Sequence, residues 1–190
     1  MANGKTDYRW VRRLILLTFF LSIIFSIVSQ ALLGQLGLPG SLLVLLCIVF
    51  LGVIFDILGV AAAVASLPPL NAKAAKRLPG ARQALDMARN AERVASICND
   101  VIGDISGIVS GAAAAAIVFR LVTDNFFVSS RYLSIALSAL VAALTVGGKA
   151  YGKFLAINRA HDILIFAGKI LYYLQNPWPF GKEQKGKGRK

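Results

Sequence analysis

Residues 91–120, AERVASICNDVIGDISGIVSGAAAAAIVFR, combine the length and apolar character of a membrane-crossing helix with a set of side chains that lipid penalises. Its first half carries Asn99, Asp100, Asp104, Ser106 and Ser110. A carboxylate at membrane depth costs about 3 kcal/mol on insertion scales, and such groups usually face a bundle interior or a water-filled path. Asp100 and Asp104 are four apart, which on an α-helix puts both on one face, where they repel unless a proton or a cation lies between them. A third acid, Asp56, lies in the otherwise apolar run 40–67. Carboxylate, amide and hydroxyl oxygens are the ligands of hard cations such as Mg²⁺. The candidate metal set is therefore Asp56, Asn99, Asp100, Asp104 and Ser106. Gly59, Gly103, Gly107 and Gly111 would let helices approach closely or unwind locally to offer backbone carbonyls. The competing reading is structural, with Asp100 at the membrane interface, pairing with Arg93 or capping a helix.

The elements that must position these groups follow from hydropathy and charge. Of 190 residues, 57% are hydrophobic, above the roughly 45–50% of soluble domains, and residues 14–55 contain no charge at all. A Gly/Pro turn, LGQLGLPG at 33–40, divides that run into a first span near 12–34 and a second near 40–67. A third span lies near 94–121 and a fourth near 132–148, ending at Gly147-Gly148-Lys149. The expected fold is all-α, a polytopic membrane protein with four transmembrane helices. The small-residue runs are expected to serve helix packing first.

Between and beyond the spans the chain is amphipathic and basic. Residues 70–93, divided at Pro79-Gly80, and residues 150–175 read as surface helices lying along the bilayer. Residues 1–11 form a basic lead and 178–190 a basic disordered tail, with Trp178 and the Tyr172/Tyr173 pair suited to the headgroup zone. The net charge of +12 is concentrated in the lead, the 70–93 connector and the segment after Gly148, whereas the 33–40 turn has no Lys or Arg and the 122–131 loop has only Arg131. An even number of spans puts the basic regions together on the cytoplasmic side of an inner or plasma membrane, with both termini cytoplasmic. The surplus charge thus reads as membrane topology, and no nucleic-acid partner is expected.

No phosphate-binding loop, dinucleotide fingerprint or nucleophile–base arrangement is present, so no enzymatic activity is expected. The single histidine, His161, reads as interfacial. Cys47 and Cys98 lie in apolar spans and read as reduced, structural thiols.

From about residue 50 to residue 177 the chain resembles the transmembrane domain of the cyclin M / CorB–CorC family of magnesium transporters. The likeness rests on a span ending in small residues and Ser66-Leu67 before LNAKAAKRLPGARQALDMARNAER, on Glu92-Arg93 leading into the polar third span, and on LSALVAALTVGGKAYGKFLAINRAHDILIFAGKILYYLQNP. That last segment is similar to the family's span ending in Gly-Glu-x-x-Pro-Lys, followed by a surface helix. The resemblance implies a homodimer with a belt of surface helices and a dehydrated Mg²⁺ held by Ser and Asn side chains and backbone carbonyls. The family's cytoplasmic nucleotide-binding domains have no counterpart in this sequence, which leaves room for a separate cytoplasmic partner subunit. The ligands also differ. Asp56-Ile57-Leu58-Gly59 replaces a Ser-Gly-Ser-Glu-like run, and an ungapped match from Glu92 puts Ile102 and Ser106 at the paired Asn positions, whereas a three-residue shift puts the first at Asn99. Gly148 and Lys153 match the Gly-Glu-x-x-Pro-Lys motif, but Lys149 replaces its Glu and Gly152 its Pro. The sequence alone leaves two readings: divalent cation transport or binding, or a non-transporting membrane adaptor that kept the fold and lost the ion site.

Overall fold

Long uninterrupted apolar runs form helices here, in which backbone polar groups are satisfied within the segment. A computed structural model describes residues 8–123 and 130–175, and among these the chain is helical throughout, without a strand. The residues of the tail, Trp178 and most of the 122–131 loop lie outside the described residues.

α1 spans Tyr8–Gln35 and α2 spans Leu38–Val64. Between them Gly37 is extended, and Pro39 sits in the first turn of α2, where its missing N–H costs nothing. α2 stops where Ala65 and Ser66 turn extended, before the Pro68-Pro69 pair. The prolines lie in the first turn of α3, Leu67–Ala75, rather than at the close of the second span. α4, Ala81–Arg89, follows a left-handed Gly80 (φ 79°).

The third membrane-length helix is continuous but not uniform. It begins as α5, Ala91–Ala95, widens into a π-helical segment, Ser96–Gly103, and continues as α6, Asp104–Thr123. α7 then runs Ser130–Asn158, and a single non-helical residue, Arg159, separates it from α8, Ala160–Gln175. The fourth span is expected to lose its apolar continuity at Gly147-Gly148-Lys149; the helix itself passes straight through these residues to Asn158. The glycines have a packing task instead. A methyl on Gly148 would lie 2.9 Å from Val53 Cγ2, and one on Gly152 would lie 2.6 Å from Ile57 Cγ1, so the bare face of α7 seats two side chains of α2.

Four helices are long and apolar enough to cross a membrane: Tyr8–Gln35, Leu38–Val64, Ala91–Leu121 and Ile135–Asn158. α2 is the hub, touching α1, α5, the π segment, α6, α7 and α8, whereas α1 buries only Ser29 and Leu33 and presents Ile15, Phe19, Ile23 and Ile27 outward. Two apolar clusters close the ends of the bundle. One joins Leu33, Leu45, Val49, Ile117 and Val141. The other joins Ala61 and Ala62 of α2 to Leu70, Leu85, Ala156 and Leu164, fastening the short helices and α8 beneath the spans.

The two ends differ in charge. Arg93 lies with its guanidinium 5.2 Å from the Trp10 ring centroid, so the start of α1 and the start of the third helix share one end with α3, α4 and α8. At the other end Arg120 donates to the carbonyls of Leu33 (3.0 Å) and Leu36 (2.6 Å), capping the last turn of α1.

Candidate functional site

The polar centre lies where α2, the π segment, α6 and α7 meet. Asp56 is eight residues before the end of α2, about 12 Å along the helix at 1.5 Å per residue. Its neighbours on α2 are apolar or small, so the carboxylate is carried into the interior by the helix rather than by a polar loop. Only 4% of Asp56 is exposed. Lys149, at a similar depth in α7, projects toward it and leaves Nζ 4.0 Å from Asp56 Oδ1 and 3.8 Å from Asp104 Oδ1. The site is therefore two carboxylates about one ammonium, with one negative charge in surplus. A buried carboxylate such as Asp56 is costly unless matched, and Lys149 lies beside it, whereas Asp104 is mostly exposed.

The match is incomplete at specific atoms. Asp56 Oδ2 and Asn99 Oδ1 are both buried and have no hydrogen-bond partner among the described residues. Asn99 is pressed against Gly59, one turn along α2 from Asp56, and a methyl on Gly59 would overlap the Asn99 amide. A buried unpartnered oxygen costs about 1–3 kcal/mol, so each of these two atoms calls for a hydrogen-bond donor or a cation.

The π segment shapes this arrangement. Its i→i+5 hydrogen bonding widens the helix between Ser96 and Gly103, a feature that recurs at functional sites. Asp100 and Asp104 are both exposed, and only Asp104 reaches Lys149. Asp104 begins α6, whereas Asp100 has no ion pair among the described residues. The five candidate ligands thus divide. Asp56, Asn99 and Asp104 surround the polar centre, Asp104 with 69% of its side chain exposed. Ser106 is buried against Gly52, but its hydroxyl donates to Ile102 O at 2.7 Å, an intrahelical bond. Asp100 stands apart. It does not take Arg93 as a partner, because that guanidinium covers Trp10. Among the described residues no three His, Cys, Asp or Glu side chains gather as a metal-holding group.

Lys149 stands in the sequence as the cation replacing the acid of the Gly-Glu-x-x-Pro-Lys motif; its contacts with Asp56 and Asp104 are what the structure adds. The signal was present, since Lys149 is a cation inside an apolar helix and Asp56 an acid inside another. An intramembrane charge calls for an opposite partner.

His161 belongs to a separate contact. Its Nε2 lies 3.0 Å from Ser66 Oγ and 3.2 Å from Ser66 O, tying α8 to the elbow between α2 and α3, beside a Lys73–Asp162 pair at 3.9 Å. Comparison with known proteins gives no relative to set beside this geometry: no family model, no curated protein and no solved structure matches the chain.

Proposed function

We propose that the chain is a cation-handling membrane protein in which Lys149 is a built-in cation that competes with an external one for Asp56. One observation carries the reading: Asp56 is buried and faces an ammonium with one oxygen while the other has no partner among the described residues. Two carboxylates around a single ammonium hold a surplus negative charge that attracts a cation or proton. Withdrawal of Lys149 would leave Asp56, Asn99 and Asp104 as hard oxygen donors suited to Mg²⁺. Lys149 in place opposes a divalent ion by like charge at close range, so binding and lysine withdrawal are linked steps.

The cyclin M / CorB–CorC resemblance is consistent with this reading and would make Mg²⁺ the first ion to try. On the positive-inside argument the Arg/Lys-rich end is cytoplasmic, in an inner or plasma membrane. The homodimer that the resemblance implies would use the outward face of α6, where methyl groups on Gly107 and Gly111 would meet nothing within 4 Å.

A second reading is favoured by Lys149 itself. If the ammonium never leaves, the carboxylates are permanently occupied and the protein is a non-transporting membrane adaptor. Mg²⁺ flux into proteoliposomes decides between them. Uptake by the wild-type chain that Asp56→Asn abolishes supports cation handling; no uptake by the wild type or by Lys149→Met supports the adaptor.

A further inference from the structure

A second charged site lies in the layer of short helices, and the intramembrane cluster has no part in it. α4 is sharply two-faced, with Ala81, Ala84, Leu85 and Ala88 buried and Arg82, Asp86 and Arg89 outward. Arg82 and Arg89 are seven residues apart and so return to one helical face. At the start of α4 the backbone of Gly80 meets the backbone of α8 at Gly168 so closely that a Cβ on either would overlap the other strand of main chain. That contact fixes α4 against α8 and leaves a groove of about 840 Å³ lined by Arg77, Arg82, Asp86, Arg89 and Tyr172 among others. Three guanidinium groups and one carboxylate line it, so the groove is positive. Arg77 is held there at φ 54°, the left-handed region that a non-glycine residue enters at a cost. Arg89 is oriented by donating to Asn71 Oδ1 at 3.3 Å.

Guanidinium forks match the oxygens of a phosphate group. Leu78, Pro79 and Leu85 also line the groove and Leu78 is exposed, so basic and apolar surfaces adjoin there. Adjacent basic and apolar surface is the signature of a segment lying at headgroup level. We propose that this groove binds the phosphate of an anionic phospholipid headgroup, with the apolar part of the lipid against the exposed Leu78. The assignment is independent of the cation reading.

The test is native mass spectrometry of the full chain in detergent, equilibrated with an equal mixture of phosphatidylcholine and phosphatidylglycerol of the same chain length. The wild type should retain phosphatidylglycerol preferentially. Arg82→Gln/Arg89→Gln should lower that preference roughly tenfold, as expected for two charges near a headgroup. Arg12→Gln/Arg13→Gln, which removes two exposed cations from α1, should leave it unchanged. Circular dichroism and gel filtration of each variant establish that it is folded before its lipid preference is read. Equal losses in the two double variants would overturn the proposal in favour of diffuse surface charge. Retained preference in folded Arg82→Gln/Arg89→Gln would overturn it outright. Displacement of the lipid by millimolar inorganic phosphate would assign the groove to free phosphate and overturn the lipid assignment.

Discussion

Lys149 Nζ stands 4.0 Å from Asp56 Oδ1 across the α2–α7 contact, and the second oxygen of the same carboxylate has no hydrogen-bond partner among the described residues. The approach is permitted by Gly148 and Gly152, whose missing side chains let Val53 and Ile57 settle onto α7. The glycines and the lysine are thus one device: close helix approach delivers a charge to a buried partner. Taking Lys149 away should expose what that partner costs.

Lys149→Met, assayed in chelator, should therefore destabilise the protein by about 3–5 kcal/mol, because Asp56 would remain buried without its counter-charge. Asp56→Asn/Lys149→Met should recover most of that loss. A double-mutant cycle read by thermal unfolding in detergent checks this, and additive losses would show that the two groups do not interact.

The α2–π contact should be intolerant of a single methyl. Gly59→Ala places its Cβ on the Asn99 amide, so the helices must part or the amide must turn, at about 1–3 kcal/mol. Gly107→Ala meets open space on α6 and should change the melting temperature little. Parallel thermal melts compare the two, and equal tolerance would contradict the close α2–π approach.

Much of the architecture was legible because a bilayer leaves few options. Apolar runs the length of a membrane helix can only be helices there, and four such helices are present. The interior arrangement was less legible. Gly147-Gly148-Lys149 reads as the loss of apolar continuity in the fourth span, yet Gly148 serves close packing and α7 continues to Asn158. Ser96–Gly103 contains no proline and no marker of a π-helix, so the wider turn ahead of Asp104 could not be read from the sequence. Asp56, Asn99 and Asp104 were found as costly intramembrane polar groups. That Lys149 reaches Asp56 and Asp104 depends on helix rotation and distance, which sequence spacing does not encode.

At the opposite end, Arg120→Gln should loosen α1. The guanidinium donates to Leu33 O and Leu36 O, closing carbonyls that the helix end leaves open. Its partial exposure limits the loss to about 1 kcal/mol. Amide hydrogen exchange should rise in the last turn of α1 and not in α8. Unchanged exchange there would mean that the cap contributes nothing.

If the outward small-residue face of α6 joins two copies, Gly111→Leu should dissociate them without harming the single chain, since the position is open within it. Cross-linking in native membranes followed by gel electrophoresis reads the outcome. Equal dimer yields for wild type and Gly111→Leu would place the interface elsewhere.

The competition between Lys149 and an external cation for Asp56 is tested most directly by isothermal titration of Mg²⁺ into the purified wild type, Lys149→Met and Asp56→Asn. Removing a positive charge about 4 Å from the carboxylates should strengthen Mg²⁺ binding roughly tenfold or more in Lys149→Met. Asp56→Asn should abolish it. Equal binding by all three proteins, or none by Lys149→Met, would contradict the reading of Asp56 as a cation ligand held closed by lysine.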